Sequence, residues 1–286
     1  MLAVPDLELT FVSQGRRDSL TLRELGRRSA ARAAGMQRHG LRPQDRVVVQ
    51  LPSSVELFVT MVAALRAGLV IVPLPTSAGS QHLTAAVTDS GAKLLVVADE
   101  WRGTGYPARL AAVSDVATLA AVHVAGPGAP ADLALERLDG GDFDPVAVSP
   151  DSACALIYTS GSSAAPKGVL HSHNSLLAEV QTGWASQSGE ADRRSFVPLP
   201  PGHIGGLISA LVPLVTRRPA AFLEPWDRSS ALELIASTGA TFMGAVPFFL
   251  IEFLDAAAGD PAALAPLRFC SIGGAGVPPV LIERAD

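Results

Sequence analysis

Cysteine is nearly missing from these 286 residues, which hold two in all. Cys154 and Cys270 stand far apart, each inside an apolar, strand-like stretch. That argues against a disulfide framework or a cysteine metal site and for two reduced core thiols in a reducing cytoplasm. An excess of positive charge is missing too. With 22 Lys and Arg against 27 Asp and Glu, the formal net charge is −5, so no broad attraction to nucleic acid or anionic lipid is expected, and phosphate binding must come from a local site. The opening residues, MLAVPDLELTF, carry neither a basic segment nor an apolar segment with a cleavage site, and no signal peptide is expected. No internal repeat is evident.

One apolar run approaches the length of a membrane span, from Leu57 to Leu74. Arg66 interrupts it, Gly68 reads as a helix stop, and Val70, Ile71 and Val72 read as a buried strand ending at Pro73. The run is therefore expected to be a helix and a strand in a core, not a span.

What the chain does hold is core-forming material, with 48% hydrophobic residues arranged as strand-like runs alternating with helical stretches. The expected fold class is α/β, with layered mixed or parallel sheets flanked by helices. Strands are expected at residues 46–51, 69–74, 93–98, 121–124, 153–159, 195–199, 220–223, 240–243 and 267–272. Ser53 or Ser54 can cap a helix from Val55 to Ala67, and Ser229 or Ser230 can cap one from Ala231 to Ser237 that Gly239 ends. The polar stretch from Gly126 to Pro150, with its glycines and prolines, predicts a boundary between an α/β subdomain over 1–150 and a second over 151–286.

The most informative segment is YTSGSSAAPKG, Tyr158 to Gly168, which follows an apolar strand and precedes a helix expected near Asn174. Small residues let backbone N–H groups approach phosphate oxygens. The hydroxyls of Thr159, Ser160, Ser162 and Ser163 add donors, and Lys167 supplies a cation. The P-loop of NTPases requires GxxxxGK[ST]. Pro166 before Lys167 and Gly168 after it remove both the second glycine and the metal-binding hydroxyl, so a Walker A site is excluded.

The segment instead resembles the [YF]TSG[ST]TGxPKG signature of adenylate-forming enzymes, the acyl-CoA synthetases, luciferases and nonribosomal adenylation domains. Ser163 and Ala164 stand where that family usually has Thr and Gly. If position 164 needs positive φ, Ala there costs roughly 1 kcal/mol. LTLREL (Leu20–Leu25) and LRAGLVIVPL (Leu65–Leu74) resemble structural segments of the family in the family's order. PLPPGHIGG (Pro198–Gly206) resembles its PxxHxxG segment, which makes His203 a candidate beside the acyl group, with Gly202 in place of an aromatic residue. ATFMGAVPFFL (Ala240–Leu250) resembles the TxxxGVPxxL stretch of the CoA-ligase branch, implying an acyl pocket at Gly244, Phe248 and Phe249. GGAGVP (Gly273–Pro278) resembles the GGAPL turn, implying nucleotide contact at Gly274, Ala275 and Gly276. His171 and His173 find no third ligand nearby, and no metal site is expected on them.

The resemblance implies that a carboxylate attacks the α-phosphorus of ATP, giving acyl-AMP and pyrophosphate, and that CoA then displaces AMP. Catalysis of that kind rests on aligning two anions and neutralising charge. It implies Thr159, Lys167 and His203 as catalytic groups. Ser160, Gly161, Ser162 and Ser163 join Thr159 and Lys167 around the phosphates. ATP, Mg2+ and CoA are the implied cofactor and co-substrates, and a small-molecule carboxylic acid, apolar and of modest to medium size, is the implied partner. A homodimer is allowed for. The family's later motifs, YGxTE, YxTGD, the hinge and the C-terminal domain with its lysine, do not occur before Asp286, and the main Mg2+ ligand is expected among them. The chain by itself is therefore expected to bind weakly and not to turn over. Alternatives are an adenylation domain, a fatty acyl-AMP ligase, and an inactive binding scaffold.

Overall fold

The computed structural model describes residues 7–159, 167–185 and 193–285. In chain order its strands are β1 (Glu8–Ser13), β2 (Arg16–Thr21), β3 (Arg46–Gln50), β4 (Val70–Pro73), β5 (Leu94–Ala98), β6 (Glu100–Trp101), β7 (Thr104–Gly105), β8 (Ala121–Ala125), β9 (Ala153–Thr159), β10 (Lys167–Ser172), β11 (Ser195–Val197), β12 (Ala220–Leu223), β13 (Phe242–Ala245) and β14 (Phe269–Ile272). Two compact units divide the chain. One comprises Met1–Leu22, Glu179–Pro201 and Gly205–Asp286, the other Arg23–Ala178 and Gly202–Ile204. The boundary expected at residue 150 gives way to this division. Strand hydrogen bonding decides it, because β1 pairs in register with β12 and β9 joins the earlier strand β4.

The unit of residues 23–178 and 202–204 is built on a sheet ordered β10-β9-β4-β3-β5-β8. It is parallel throughout except for the hairpin β9–β10. Its central strands read RVVVQ, VIVP and LLVVA and are almost wholly buried, as parallel strands covered on both faces should be. Helices α1 (Leu22–Arg38), α2 (Val55–Arg66), α3 (Ser80–Ser90), α4 (Tyr106–Ala111) and α5 (His173–Glu179) accompany it. The apolar run from Leu57 to Leu74 is α2 followed by β4, as expected, with Ser54 as the cap accepting from the Leu57 amide at 3.3 Å. No helix among the described residues is long and apolar enough to cross a membrane. Inside this unit Arg32 is fully buried, doubly bonded to Asp139 at 2.8 and 3.0 Å and bonded to Glu56 at 2.7 Å and Thr60 at 3.1 Å.

The other unit carries a sheet ordered β14-β13-β11-β12-β1-β2, again parallel except at one end, where β1 and β2 form a hairpin. Its helices are α6 (Ile204–Thr216), α7 (Arg228–Thr238), α8 (Pro247–Gly259) and α9 (Pro279–Glu283). Helix α7 begins earlier than expected, since the Asp227 carboxylate, not a serine, accepts from the Ser230 amide at 2.7 Å. Gly239 ends it in the left-handed conformation, and the Ala240 amide donates to Ile235 O. Ala240 is thus used by the helix end, and the strand expected over 240–243 starts at Phe242 instead.

Five strands that the sequence pattern did not reveal, β1, β2, β6, β7 and β10, include the antiparallel edge strands β2 and β10 of the two six-stranded sheets. β2 and the first four residues of β10 are largely exposed, so neither shows the burial periodicity that marks an inner strand.

Candidate functional site

In a mainly parallel sheet, ligand groups gather where the strands' carboxyl ends and the following loops meet. In the unit containing β9, two sequence-identified residues lie in one hairpin. Thr159 ends β9, Lys167 opens β10, and the two are direct cross-strand partners. The Thr159 hydroxyl donates to the Lys167 carbonyl oxygen at 3.3 Å. Both residues are exposed, so the ammonium group is open to an anion, while the Thr159 hydroxyl can donate to one only by giving up its bond to the Lys167 carbonyl. The expected contacts at Ser160, Gly161, Ser162 and Ser163, and the Ala164 departure, lie outside the described residues.

His203 stands just before α6 and is exposed. Its placement follows from Gly202, which packs on the chain that leaves β4. A Cβ at Gly202 would stand 2.2 Å from Pro75 N and 2.6 Å from Leu74 C. Strand β4 lies beside β9 with Ile71 paired to Ala155. Four residues further along each strand direction come Pro75 and Thr159, so Gly202 and Thr159 both belong to the carboxyl-end edge of this sheet.

Gln50, at the end of β3, was missed in the sequence. It is buried, and its side-chain amide donates to Ala78 O at 2.7 Å and Pro75 O at 3.2 Å. The signal was present as one polar residue closing an apolar strand, RVVVQ. Gln50 fixes the very turn on which Gly202 rests.

The other candidates belong to the second unit. Gly244 is buried within β13, paired with Ser271 of β14. Past the carboxyl ends of these two parallel strands come Phe248 and the turn Gly273–Pro278. The turn is tied back by the Gly273 amide donating to Ala245 O at 3.1 Å. Gly274 has φ +77, a conformation that favours glycine, while Ala275 and Gly276 are exposed.

Phe248 and Phe249 do not share one role. Phe249 is 8% exposed and packs in the core with Trp226 and Phe253, its ring 4.8 Å from that of Trp226. Phe248 is 52% exposed and touches only the edge of that cluster, 6.3 Å from Trp226 and 5.3 Å from Phe249 between centroids. Adjacent residues on a helix point about 100° apart, and in α8 Phe249 takes the core side while Phe248 falls on the exposed one. As a wall residue for a ligand, Phe248 is the available ring and Phe249 its support.

Burial pushes both thiols, Cys154 and Cys270, up to about 11, so neither is an activated nucleophile. Burial also lowers His173 at the start of α5. Among the described residues, no group of three or more His, Cys, Asp or Glu could hold a metal ion.

The chain is similar to several known proteins. The feruloyl-CoA synthase of an Amycolatopsis species is 31% identical over 273 residues, covering 93% of this chain and 51% of that protein. A long-chain-fatty-acid–CoA ligase of Mycobacterium tuberculosis is 29% identical over 258 residues, covering 85% and 48%. The chain thus spans about half the length of these curated relatives. Among solved structures, ATP-bound MatB from Rhodopseudomonas palustris superposes with a TM-score of 0.84 at 26% identity, over 99% of this chain and 55% of that one. The family profile of the AMP-binding enzymes matches residues 4–286, and the chain belongs to that family.

Proposed function

We propose that the protein carrying this chain is an AMP-forming acid–CoA ligase acting in the cytoplasm on an apolar carboxylic acid. The observation that carries the reading is the Thr159–Lys167 pair at the mouth of the β9–β10 hairpin, within a chain of the AMP-binding family. An oxygen of the substrate carboxylate attacks the α-phosphorus of ATP, and the bond from that phosphorus to the pyrophosphate oxygen breaks. The sulfur of CoA then attacks the acyl carbon and AMP leaves with the electron pair of the C–O bond.

Neither step requires a side-chain nucleophile, because the already ionised carboxylate is the nucleophile of the first and the CoA sulfur that of the second. The protein's part is alignment and charge neutralisation. Lys167 offers the cation to the departing pyrophosphate and Thr159 a hydroxyl beside it. His203 contributes at the acyl end, while Gly274, Ala275 and Gly276 offer backbone to the nucleotide and Gly244 and Phe248 a surface to the acid. The two unpaired thiols suit a reducing compartment. The Mg2+ that accompanies ATP needs only one or two protein carboxylates beside the phosphates and water.

The test is acid-dependent exchange of labelled pyrophosphate into ATP, followed by mass detection of the CoA thioester, on the longest natural form of the protein. A panel of aromatic and aliphatic acids is expected to include at least one that supports both. ATP binding without exchange for any acid would overturn the enzyme reading in favour of a binding scaffold.

A further inference from the structure

The hairpin that presents Thr159 and Lys167 is held one rung behind that pair by a side chain that the chemistry above does not use. Tyr158, next to Thr159 on β9, reaches across to α3, where its hydroxyl donates to Asp89 Oδ2 at 2.6 Å. A separation this short marks a charge-assisted bond. Burial, and after it the Asp89 carboxylate, push ionisation of the phenol upward, so the hydroxyl keeps its proton and stays the donor.

Opposite Tyr158 on β10 is Gly168. A Cβ there would stand 2.8 Å from Leu156 Cδ1 and 3.3 Å from Tyr158 Cε1. The missing side chain leaves room for the ring to lie over the second strand of the hairpin. The same ring packs on the core beneath the sheet. Tyr158 and Gly168 are therefore the rung directly behind Thr159 and Lys167 in the ladder, and that rung is tied to α3. The helix end is itself fixed, because Arg46 of β3 donates to Ser90 O and, at 3.2 Å, to Gly91 O.

We propose that the Tyr158–Asp89 bond, seated on Gly168, holds Thr159 and Lys167 at the spacing that nucleotide phosphates require, which makes Tyr158 and Asp89 positioning residues for triphosphate binding. The inference rests on the reading of Thr159 and Lys167 as phosphate-binding groups. An edge hairpin has a neighbour on one side only, so without such a tie its last rung can twist freely.

The experiment is calorimetric titration of the longest natural form of the protein, and of its variants, with ATP and, separately, with AMP, which lacks the two phosphates these groups would meet. Tyr158→Phe keeps the ring on Gly168 and removes only the hydroxyl. Asp89→Ala removes the acceptor, and Asp89→Asn restores one. Asp89 is exposed, so its variants do not put folding at stake. Loss of one hydrogen bond is expected to weaken ATP about fivefold in Tyr158→Phe and Asp89→Ala. AMP affinity should stay constant and Asp89→Asn should bind ATP close to the parent. An ATP-to-AMP affinity ratio that does not change in those two variants overturns the positioning role while leaving the phosphate reading intact. A parent protein of that full length that binds no ATP overturns both.

Discussion

Gly202 lies so close to Pro75 that a Cβ on it would stand 2.2 Å from the Pro75 backbone nitrogen. The obstacle is backbone that Gln50 pins through Pro75 O and Ala78 O, so it cannot yield as a flexible side chain would. Gly202→Ala is therefore expected to cost ~1–3 kcal/mol through overpacking and to displace His203 from the sheet edge. A lowered urea midpoint with an unchanged m-value would report the first effect. Weakened binding of an acyl-adenylate analogue would report the second. A parent-like midpoint would show that the turn after β4 moves freely.

Arg32 has no exposed surface and serves two carboxylates, Glu56 and Asp139, together with Thr60. Removing one partner from a buried ionic cluster costs about 3–5 kcal/mol, because the remaining charges lose their compensation. Arg32→Ala is expected to lose stability on that scale in equilibrium urea unfolding. Burial alone would raise Glu56, yet the charges of Arg32 and then Arg28 outweigh it and leave the carboxyl below its ordinary 4.5. A depressed carboxyl stabilises above its unfolded value and loses that contribution as pH falls through the folded one. The stability of the parent should thus drop as pH falls below 4.5, and this dependence should shrink in the variant.

The division between Phe248 and Phe249 is testable by truncating each. Phe249→Ala empties a core position against Trp226 and Phe253 and is expected to cost ~3–5 kcal/mol. Phe248→Ala removes an exposed ring and should cost under ~1 kcal/mol. The second variant, if Phe248 lines the acid site, should still discriminate among acids in the exchange assay differently from the parent. Equal destabilisation by the two would contradict the burial difference.

His123, on β8, is buried edge-on to His39 with ring centroids 5.6 Å apart, and its Nδ1 lies 3.3 Å from Ala134 O. Burial first, then the charges of His39 and Arg137, hold it below its ordinary 6.5 despite hydrogen bonds to the Ala134 and Leu133 backbone that oppose the shift. Since the unfolded chain takes up this proton first, the folded state should lose stability as pH drops below 6.5. His123→Gln should flatten that part of the urea-midpoint profile. This loss begins at 6.5, above the 4.5 at which that of Glu56 begins, so the first part of the acid decline on one pH series belongs to His123.

Much of the inner architecture was legible along the chain. Val47, Val48 and Val49, or Leu95, Val96 and Val97, are apolar runs too short for helices and rich in β-branched residues, and they form central strands. Ser54 and Gly239 acted as helix boundaries because capping is local chemistry. The edge strands were not legible, because β2 and much of β10 bury too little to leave a period. Nor was Asp227 foreseen in place of Ser229 or Ser230, since all three offer a suitable oxygen and only the backbone path decides which meets an amide.

The sequence by itself determined the family, the non-Walker character of the segment from Tyr158 to Gly168, and the candidate residues Thr159, Lys167 and His203, because each follows from residue types at near spacings. Only the tertiary structure decided that Thr159 faces Lys167, that Gly202 is demanded by Pro75, that Phe249 is core and Phe248 is not, and that β1 belongs with β12. Those relations depend on strand register and on close approach between segments far apart in the chain. Hydrogen-bond geometry and excluded volume set them, and neither is written in any short stretch of residues.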